Sequence, residues 1–339
     1  MNSPLSTQTL PTRMLAGRAV SAIGLGCMNL NHAYGEPPPT DYAVRLLERA
    51  CELGVTHFDT ASLYGFGKNE ELVASILPKW RSRIFLASKC GMTGVDGKRV
   101  IDGRPETLKR TVIESLQRLG TDHIDLYYLH RWDKQVPIEE SMGALADMVR
   151  AGQIGAIGLS EVSATTLRKA HAVHPVAAVQ SEYSLWARNA EVAVLETCRQ
   201  LGVAYVAFSP VGRGFLAQQL GGPDSYVKGD IRQHMPRFMA EHWTQNAALY
   251  ARYAALAAEA GCTPAQLALV WLLEQAPHIL PIPGTRSIEH LEEDIAAATL
   301  KVDPAILAAA GELLHDRHVG GARYAAQMLG EVDTEVVPV

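Results

Sequence analysis

Apolar runs rich in β-branched and aromatic residues recur at 23–28, 55–60, 84–90, 124–130, 154–160, 177–181, 203–209 and 279–284. Each is followed by a turn and then by a stretch with helical period, which predicts βα units. Little polarity interrupts the runs, so the strands are expected to be buried on both faces under a helical layer. Eight such strands close naturally into a barrel, giving an α/β fold of the (β/α)8, or TIM-barrel, class.

Caps and period predict the helices. Thr40 or Asp41 is placed to cap a helix whose apolar stripe is Val44, Leu47 and Cys51, with Gly54 in a left-handed C-terminal position. A second begins at Pro105, runs through Leu108, Val112, Leu116 and Leu119, and ends at Gly120. Ahead of the first run, 10–14 and 18–23 flank Ala16-Gly17, a hairpin able to plug the barrel bottom. The stretch between the last two strands is too long for one connection and predicts a loop insertion with helices near 243–259 and 264–275. Further helices are expected over 287–298 and about 304–315, and an irregular C-terminus from Gly320-Gly321. No linker separates two units, so 1–339 reads as one domain: hairpin about 10–23, barrel about 23–300, C-terminal helix and tail about 304–339.

Composition narrows the function. The 31 Lys+Arg against 36 Asp+Glu give a net charge of -5 without a basic block, which argues against nucleic acid as a partner. No apolar run approaches the roughly 18 residues of a membrane helix, so no membrane partner is expected. The opening MNSPLST has neither a positive leader nor an apolar stretch, which points to the cytoplasm. Cys27, Cys51, Cys90, Cys198 and Cys262 are scattered, odd in number and never spaced C-x-x-C; they read as reduced, mostly buried small hydrophobes.

Barrel enzymes carry their reacting groups at the C-terminal ends of the strands. Those positions hold Asp59, with Tyr64 in the next loop, Lys89 and His130. Together they suggest proton transfer through a phenol, without a metal. A free tyrosine, with a pKa of about 10, is a weak acid at neutral pH, and an adjacent ammonium such as Lys89 is expected to lower that value. A buried Lys89 needs a carboxylate such as Asp59 beside it. His130 is then free to orient a carbonyl oxygen by hydrogen bonding. A metal-dependent barrel hydrolase is disfavoured, because the first strand ends in Gly-Cys-Met and supplies no ligand. After the seventh strand, Gly212 and Gly214 let backbone amides approach a pyrophosphate. After the eighth, Arg286 offers a planar guanidinium at a helix start.

Seven motifs in this order resemble the aldo-keto reductase superfamily: GLGCM at 24–28, FDTASLYG at 58–65 with NEEL at 69–72, Lys89, DLYYLH at 125–130, QSEYS at 180–184, SPVGRGFL at 209–216 and PGTRSIEHLEED at 283–294. The resemblance spans nearly the whole chain and implies that Asp59, Tyr64, Lys89 and His130 form a catalytic tetrad. It implies NADPH/NADP+ as cofactor, with NADH accepted more weakly, and a small carbonyl or alcohol as substrate. By the same resemblance, Phe208 stacks on the nicotinamide, Ser160 and Gln180 bond its carboxamide, and Ser209, Gly212, Gly214 and Gly284 line the cofactor. Arg286 meets the 2′-phosphate, and His290, Glu293 and Asp294 lie at the adenosine. Met28, Trp132 and Trp186 are expected at the substrate, together with the loop 29–34 and the tail around 324–328. Two positions depart from the family pattern, Glu161 and Asp294, where an amide that can donate is replaced by a carboxyl that accepts. The expected activity is an NADP-dependent, alcohol-dehydrogenase-type oxidoreductase with Tyr64 as general acid/base. The alternative is a non-catalytic NADP-binding subunit of the same fold, which the complete tetrad disfavours. The oligomeric state is left open.

Overall fold

The computed structural model describes residues 10–95, 98–218 and 220–337. The opening heptad read for a leader lies outside them. In chain order the strands are β1 Thr12–Leu15, β2 Arg18–Ser21, β3 Leu25–Gly26, β4 His57–Asp59, β5 Phe85–Cys90, β6 Met92–Val95, β7 Lys98–Ile101, β8 Leu126–Leu129, β9 Ile157–Ser160, β10 Val176–Glu182, β11 Ala204–Phe208 and β12 Ile279–Ile282. The helices are α1 Thr40–Glu52, α2 Lys68–Ala74, α3 Leu77–Trp80, α4 Pro105–Leu119, α5 Ile138–Arg150, α6 Ala164–Val173, α7 Val194–Leu201, α8 Ala240–Glu259, α9 Pro264–Gln275, α10 Ile288–Ala296, α11 Pro304–Leu313 and α12 Ala326–Gly330.

Eight strands form one parallel sheet in the order β3-β4-β5-β8-β9-β10-β11-β12. The amides of Gly24 and Gly26 donate to the carbonyls of Pro281 and Pro283, each at 3.0 Å, and bring the last strand back to the first. The closed sheet is the TIM barrel that the strand pattern predicts. All eight predicted strands exist, with shorter bounds at most ends. Gly26 lies in this seam because any larger residue fails there: a Cβ would sit 2.9 Å from the Ile282 carbonyl oxygen.

The hairpin β1–β2 turns at Ala16 and Gly17, with φ of 49° and 76°, as a two-residue turn requires. It inserts Leu15 and Val20 among Phe85, Leu126, Tyr128, Val206 and Leu280 inside the barrel. The bottom is thus sealed by apolar packing, and Arg13 and Arg18 tie the hairpin to Ala276 O and Asp125. A larger apolar layer separates sheet from helices and takes in Leu46, Leu47, Val112, Leu145, Leu167 and Leu272. Cys27, Cys51, Cys90 and Cys198 are buried as small apolar residues; Cys262 is half-buried.

Four local expectations need correction. Neither Thr40 nor Asp41 caps α1; the N-cap is Pro39, Thr40 is already helical, and the buried stripe is Ala43, Leu46, Leu47, Ala50 and Cys51. Val44 lies at the edge of that stripe. A second hairpin, β6–β7, stands where no strands were predicted, because its strands are only four residues long, β7 is almost wholly exposed, and neither carries the apolar run that marks the others. Finally, the tail after Gly320 contains α12. Gly54 and Gly120 take left-handed φ at the ends of α1 and α4, as expected. Among the described residues no single helix is long and apolar enough to cross a membrane.

Candidate active site

The loop after β4 carries Tyr64, and its path follows from local sequence. Gly65, Phe66 and Gly67 have φ of 57°, 54° and 96°, a consecutive left-handed run made feasible by the two glycines. The NEEL stretch pins this loop from below. Asn69 accepts from Thr60 Oγ1 at 2.6 Å and donates to Cys27 O and Asn31 Oδ1, each at 2.8 Å. Glu70, fully buried, accepts from Ser88 Oγ and Arg118 Nε, both at 2.6 Å. The motif therefore joins the loops that follow β3 and β4 and the helix α4, and so fixes where Tyr64 stands.

Lys89, at the end of β5, is 0% exposed. Its Nζ pairs with Asp59 Oδ1 and donates to Thr60 O at 2.9 Å and to the Tyr64 hydroxyl at 3.2 Å. Asp59's other oxygen accepts from Gln180 Nε2 at 2.7 Å. Both carboxylate oxygens are thus occupied, and the ammonium is held charged: burial pushes Lys89 down, but Asp59 and Tyr64 outweigh it and the net shift is upward. For Tyr64 the balance corrects the sequence-based expectation. Burial, which raises its pKa, outweighs the lowering by Lys89, so the phenol is held above its ordinary value and stays protonated. His130 packs edge-on against Tyr64 with ring centroids 5.7 Å apart. Burial first, then the nearby Lys89, Arg131, His32 and Arg99, hold it well below the ordinary histidine range, so it is neutral.

A cavity of about 480 Å³ runs from this cluster to the start of α10. Asp59, Tyr64 and His130 line one end, with Lys89 directly behind. Along the walls lie Ser160, Gln180, Phe208, Ser209, Gly214 and Gly284, and at the far end Arg286, His290, Glu293 and Asp294. Of the predicted substrate residues, Met28 lines the cavity, as do Tyr324 and Met328 from the tail. Trp132 and Trp186 do not. Trp132 donates its Nε1 to Val136 O at 2.9 Å within its own loop. Trp186 is buried, stacked on Phe215 with centroids 4.1 Å apart. Gly212 also stands outside the lining, because it packs on that indole; a Cβ there would lie 2.7 Å from Trp186 Nε1. An aromatic side chain following a strand marks core packing as readily as a ligand pocket, and sequence spacing does not separate the two.

Both departures from the family pattern acquire physical meaning. Glu161 has φ 55° and is held by Arg323 at 2.8 Å and by the amide of Glu182 at 2.9 Å. Burial opposes its charge, but Arg323 and Arg131 overcome this and keep it a carboxylate. Its work is to dock the C-terminal tail. Asp294 behaves oppositely: burial, reinforced by Glu293, pushes it up to about 8, so at neutral pH it is mostly a carboxylic acid with a proton to donate. Non-glycine residues with positive φ gather here too, since Ala33, Phe66, Glu161, Ser209 and Arg213 all stand in loops at this end of the barrel. The expected loop 29–34 lines the cavity through Asn29, His32, Ala33 and Tyr34, whereas sequence reasoning missed Arg99, Arg131 and Arg232 in its wall. The one readable signal was Arg131, a second polar residue directly after the strand that ends in His130.

Fold and site together define a barrel protein with a protonated phenol, a buried ammonium and a neutral imidazole meeting at one end of a long cleft. The family model described as aldo/keto reductase family matches residues 22–313, and the chain belongs to that family of oxidoreductases. It is 41% identical over 323 residues to the aldo-keto reductase yakc [NADP(+)] of Schizosaccharomyces pombe, covering 93% of this chain and 95% of that protein. Among solved structures it is similar to the glycerol dehydrogenase AKR11B4 from Gluconobacter oxydans, with TM-score 0.82, 26% identity and coverage of 94% and 98% of the two chains. It is also similar to an aldo-keto reductase from Klebsiella pneumoniae solved with NADPH, with TM-score 0.71, 26% identity and coverage of 91% and 96%.

Proposed function

We propose that this chain works as one barrel unit that interconverts a carbonyl compound and an alcohol, an alcohol-dehydrogenase-type reaction with NADP(H) as hydride carrier. The observation that carries the reading is the Tyr64 hydroxyl at the cavity wall, 3.2 Å from a fully buried Lys89. The yakc relative is named for NADP(+), and the Klebsiella neighbour was solved with NADPH.

The residues present fit that cofactor. The cleft is long, passes the glycine-bearing loop after β11, and ends at Ser287, which caps α10, and at Arg286. Arg286 anchors one nitrogen on the carbonyls of Tyr34 and Glu36, at 3.0 and 3.1 Å, and has no carboxylate partner among the described residues. That leaves its charge for a 2′-phosphate, which prefers NADP(H) over NAD(H). Ser160, Gln180 and Phe208 line the same cleft, which supports their reading as the groups that would hold the nicotinamide end.

NADPH in this cleft supplies a hydride. His130, neutral, orients the carbonyl oxygen by hydrogen bonding, and Tyr64 gives that oxygen its phenolic proton. Lys89 balances the phenolate left behind, and Asp59 with Gln180 keeps Lys89 in place. In the oxidative direction the phenolate takes the alcohol's proton. No observation favours the non-catalytic alternative. The test is a panel of aldehydes and ketones followed by NADPH absorbance. Turnover by protein treated with EDTA is expected; full loss on that treatment, restored by zinc, would contradict the metal-free reading.

A further inference from the structure

Five arginines line the cleft: Arg99, Arg131, Arg213, Arg232 and Arg286. Three are already neutralised. Arg99 pairs with Glu331 of the C-terminal segment, Arg213 with Glu182 at 2.8 Å, and Arg232 with Asp230 at 2.6 Å. Arg286, at the far end, is the one assigned above to the cofactor's 2′-phosphate. Arg131, at the reacting end, has no carboxylate within ion-pairing distance among the described residues. Its Nη1 alone is committed, donating to His130 O at 2.7 Å and to Ser160 Oγ at 3.2 Å. Among the described residues the rest of the guanidinium has no hydrogen-bond partner, and the side chain is half-buried in the cavity wall.

A guanidinium in a cleft wall whose outer nitrogens meet no carboxylate directly is a place where an anion can bind. The one buried carboxylate whose charge reaches Arg131 is Glu161, and its oxygens are already held by Arg323 and the amide of Glu182. The carboxylates in the cavity lining are Asp59, whose two oxygens are held by Lys89 and Gln180, and Glu293 and Asp294 at the opposite end. Around Tyr64 the lining includes the apolar cluster of Leu63, Met92 and Met28. We infer that the reacting end of the cleft contains an anion subsite centred on Arg131, so that the substrate is a carbonyl compound or alcohol with an apolar body and a separate carboxylate or phosphate. The anion sits on Arg131 while the reacting oxygen sits between Tyr64 and His130; the two are distinct positions. This inference rests on the carbonyl-reducing reading of the previous section.

The experiment compares matched substrates with NADPH: 4-carboxybenzaldehyde against its methyl ester, and 4-formylphenyl phosphate against 4-methoxybenzaldehyde. A charged hydrogen bond corresponds to about a 10- to 150-fold preference, and the anionic member of at least one pair is expected to lead in kcat/KM by that factor. Preference in both pairs means a general anion site, and in the first alone a carboxylate site. In Arg131→Gln each preference is expected to collapse toward one. Reading the ratio cancels any general loss transmitted through Ser160. Benzoate binding, followed by tryptophan fluorescence, provides a readout without turnover and is expected to weaken at least about 10-fold in the same variant. A ratio at or below one in both pairs, or a ratio unchanged by Arg131→Gln, overturns the subsite. If no aldehyde is reduced but benzoate binding still depends on Arg131, the subsite stands and the carbonyl-reducing reading falls.

Discussion

Each end of the barrel closes on an aspartate held by cations. At the bottom, Asp125 takes Arg18 at 2.6 Å, Arg81 at 2.9 Å and the amide of Leu86 at 2.8 Å, and the Arg18 side chain is 51% exposed. At the top, Asp59 takes Lys89 and Gln180, and Lys89 is completely buried. The bottom pair is wet at its rim, and exposed pairs of this kind contribute about 0–1 kcal/mol; stability there comes from Leu15 and Val20 packed into the barrel. The top pair gives up solvation on both partners, and an apolar substitute of similar shape is often no worse for stability. What distinguishes the top is the Tyr64 hydroxyl on the third side of the ammonium. Under the proposed reaction the buried charge serves chemistry, whereas the exposed one serves folding.

The comparison breaks first at Lys89. Lys89→Met leaves Asp59 buried with only Gln180, which is expected to cost about 3–5 kcal/mol in urea unfolding and to remove most turnover, because the phenolate loses its counter-charge. Unchanged kcat in a folded Lys89→Met protein would detach the ammonium from the reaction. At the bottom the outcomes should separate. Leu15→Ala is expected to cost about 2–5 kcal/mol of stability while kcat/KM stays within about twofold below the melting range. An equal loss of activity would mean that the plug shapes the site.

Smaller effects sharpen the picture along the cleft. Arg286→Ala should raise the NADPH dissociation constant about 10- to 150-fold and leave NADH nearly untouched, as read by tryptophan fluorescence. Equal losses for both cofactors would make Arg286 a brace for the loop at 34–36. Titration should then separate Asp294 from the reacting groups. Its folded pKa of about 8 lies far above that of an unfolded aspartate, so the folded protein binds the extra proton and this group's effect on stability worsens as pH rises from about 4 to 8. With NADP(H) bound as proposed, its carboxylate above pH 8 would also repel the cofactor's phosphates. NADPH affinity is expected to fall across pH 8, and Asp294→Asn to flatten that fall and raise Tm at pH 9. At saturating NADPH, carbonyl reduction should show no inflection near pH 6.5, because His130 is already neutral there. The acid Tyr64 should persist beyond pH 10.

The chain pattern disclosed these two ends unequally. Eight buried strands and a two-residue turn at Ala16-Gly17 are local signals, and they were sufficient for the barrel and its plug. That Asp59, Tyr64, Lys89 and His130 meet was legible because barrel geometry brings strand ends together. The roles of Glu161 and Asp294 were not, since each depends on a partner distant in sequence: Arg323 holds one charged, and burial near Glu293 leaves the other protonated. Trp132 and Trp186 misled for the same reason, as only packing reveals that Trp186 faces Phe215. Hairpin β6–β7 and α12 stayed hidden because short, exposed elements leave no apolar period to read.

The central claim is that Tyr64 moves the proton while other residues hold the cofactor. It is tested most directly in Tyr64→Phe, by measuring single-turnover NADPH oxidation on an aldehyde and the NADPH dissociation constant in the same preparation. The account predicts a rate lower by about 100- to 10,000-fold with the dissociation constant unchanged. A near-normal rate, on a substrate whose chemistry limits turnover, would contradict it and assign the proton to another group.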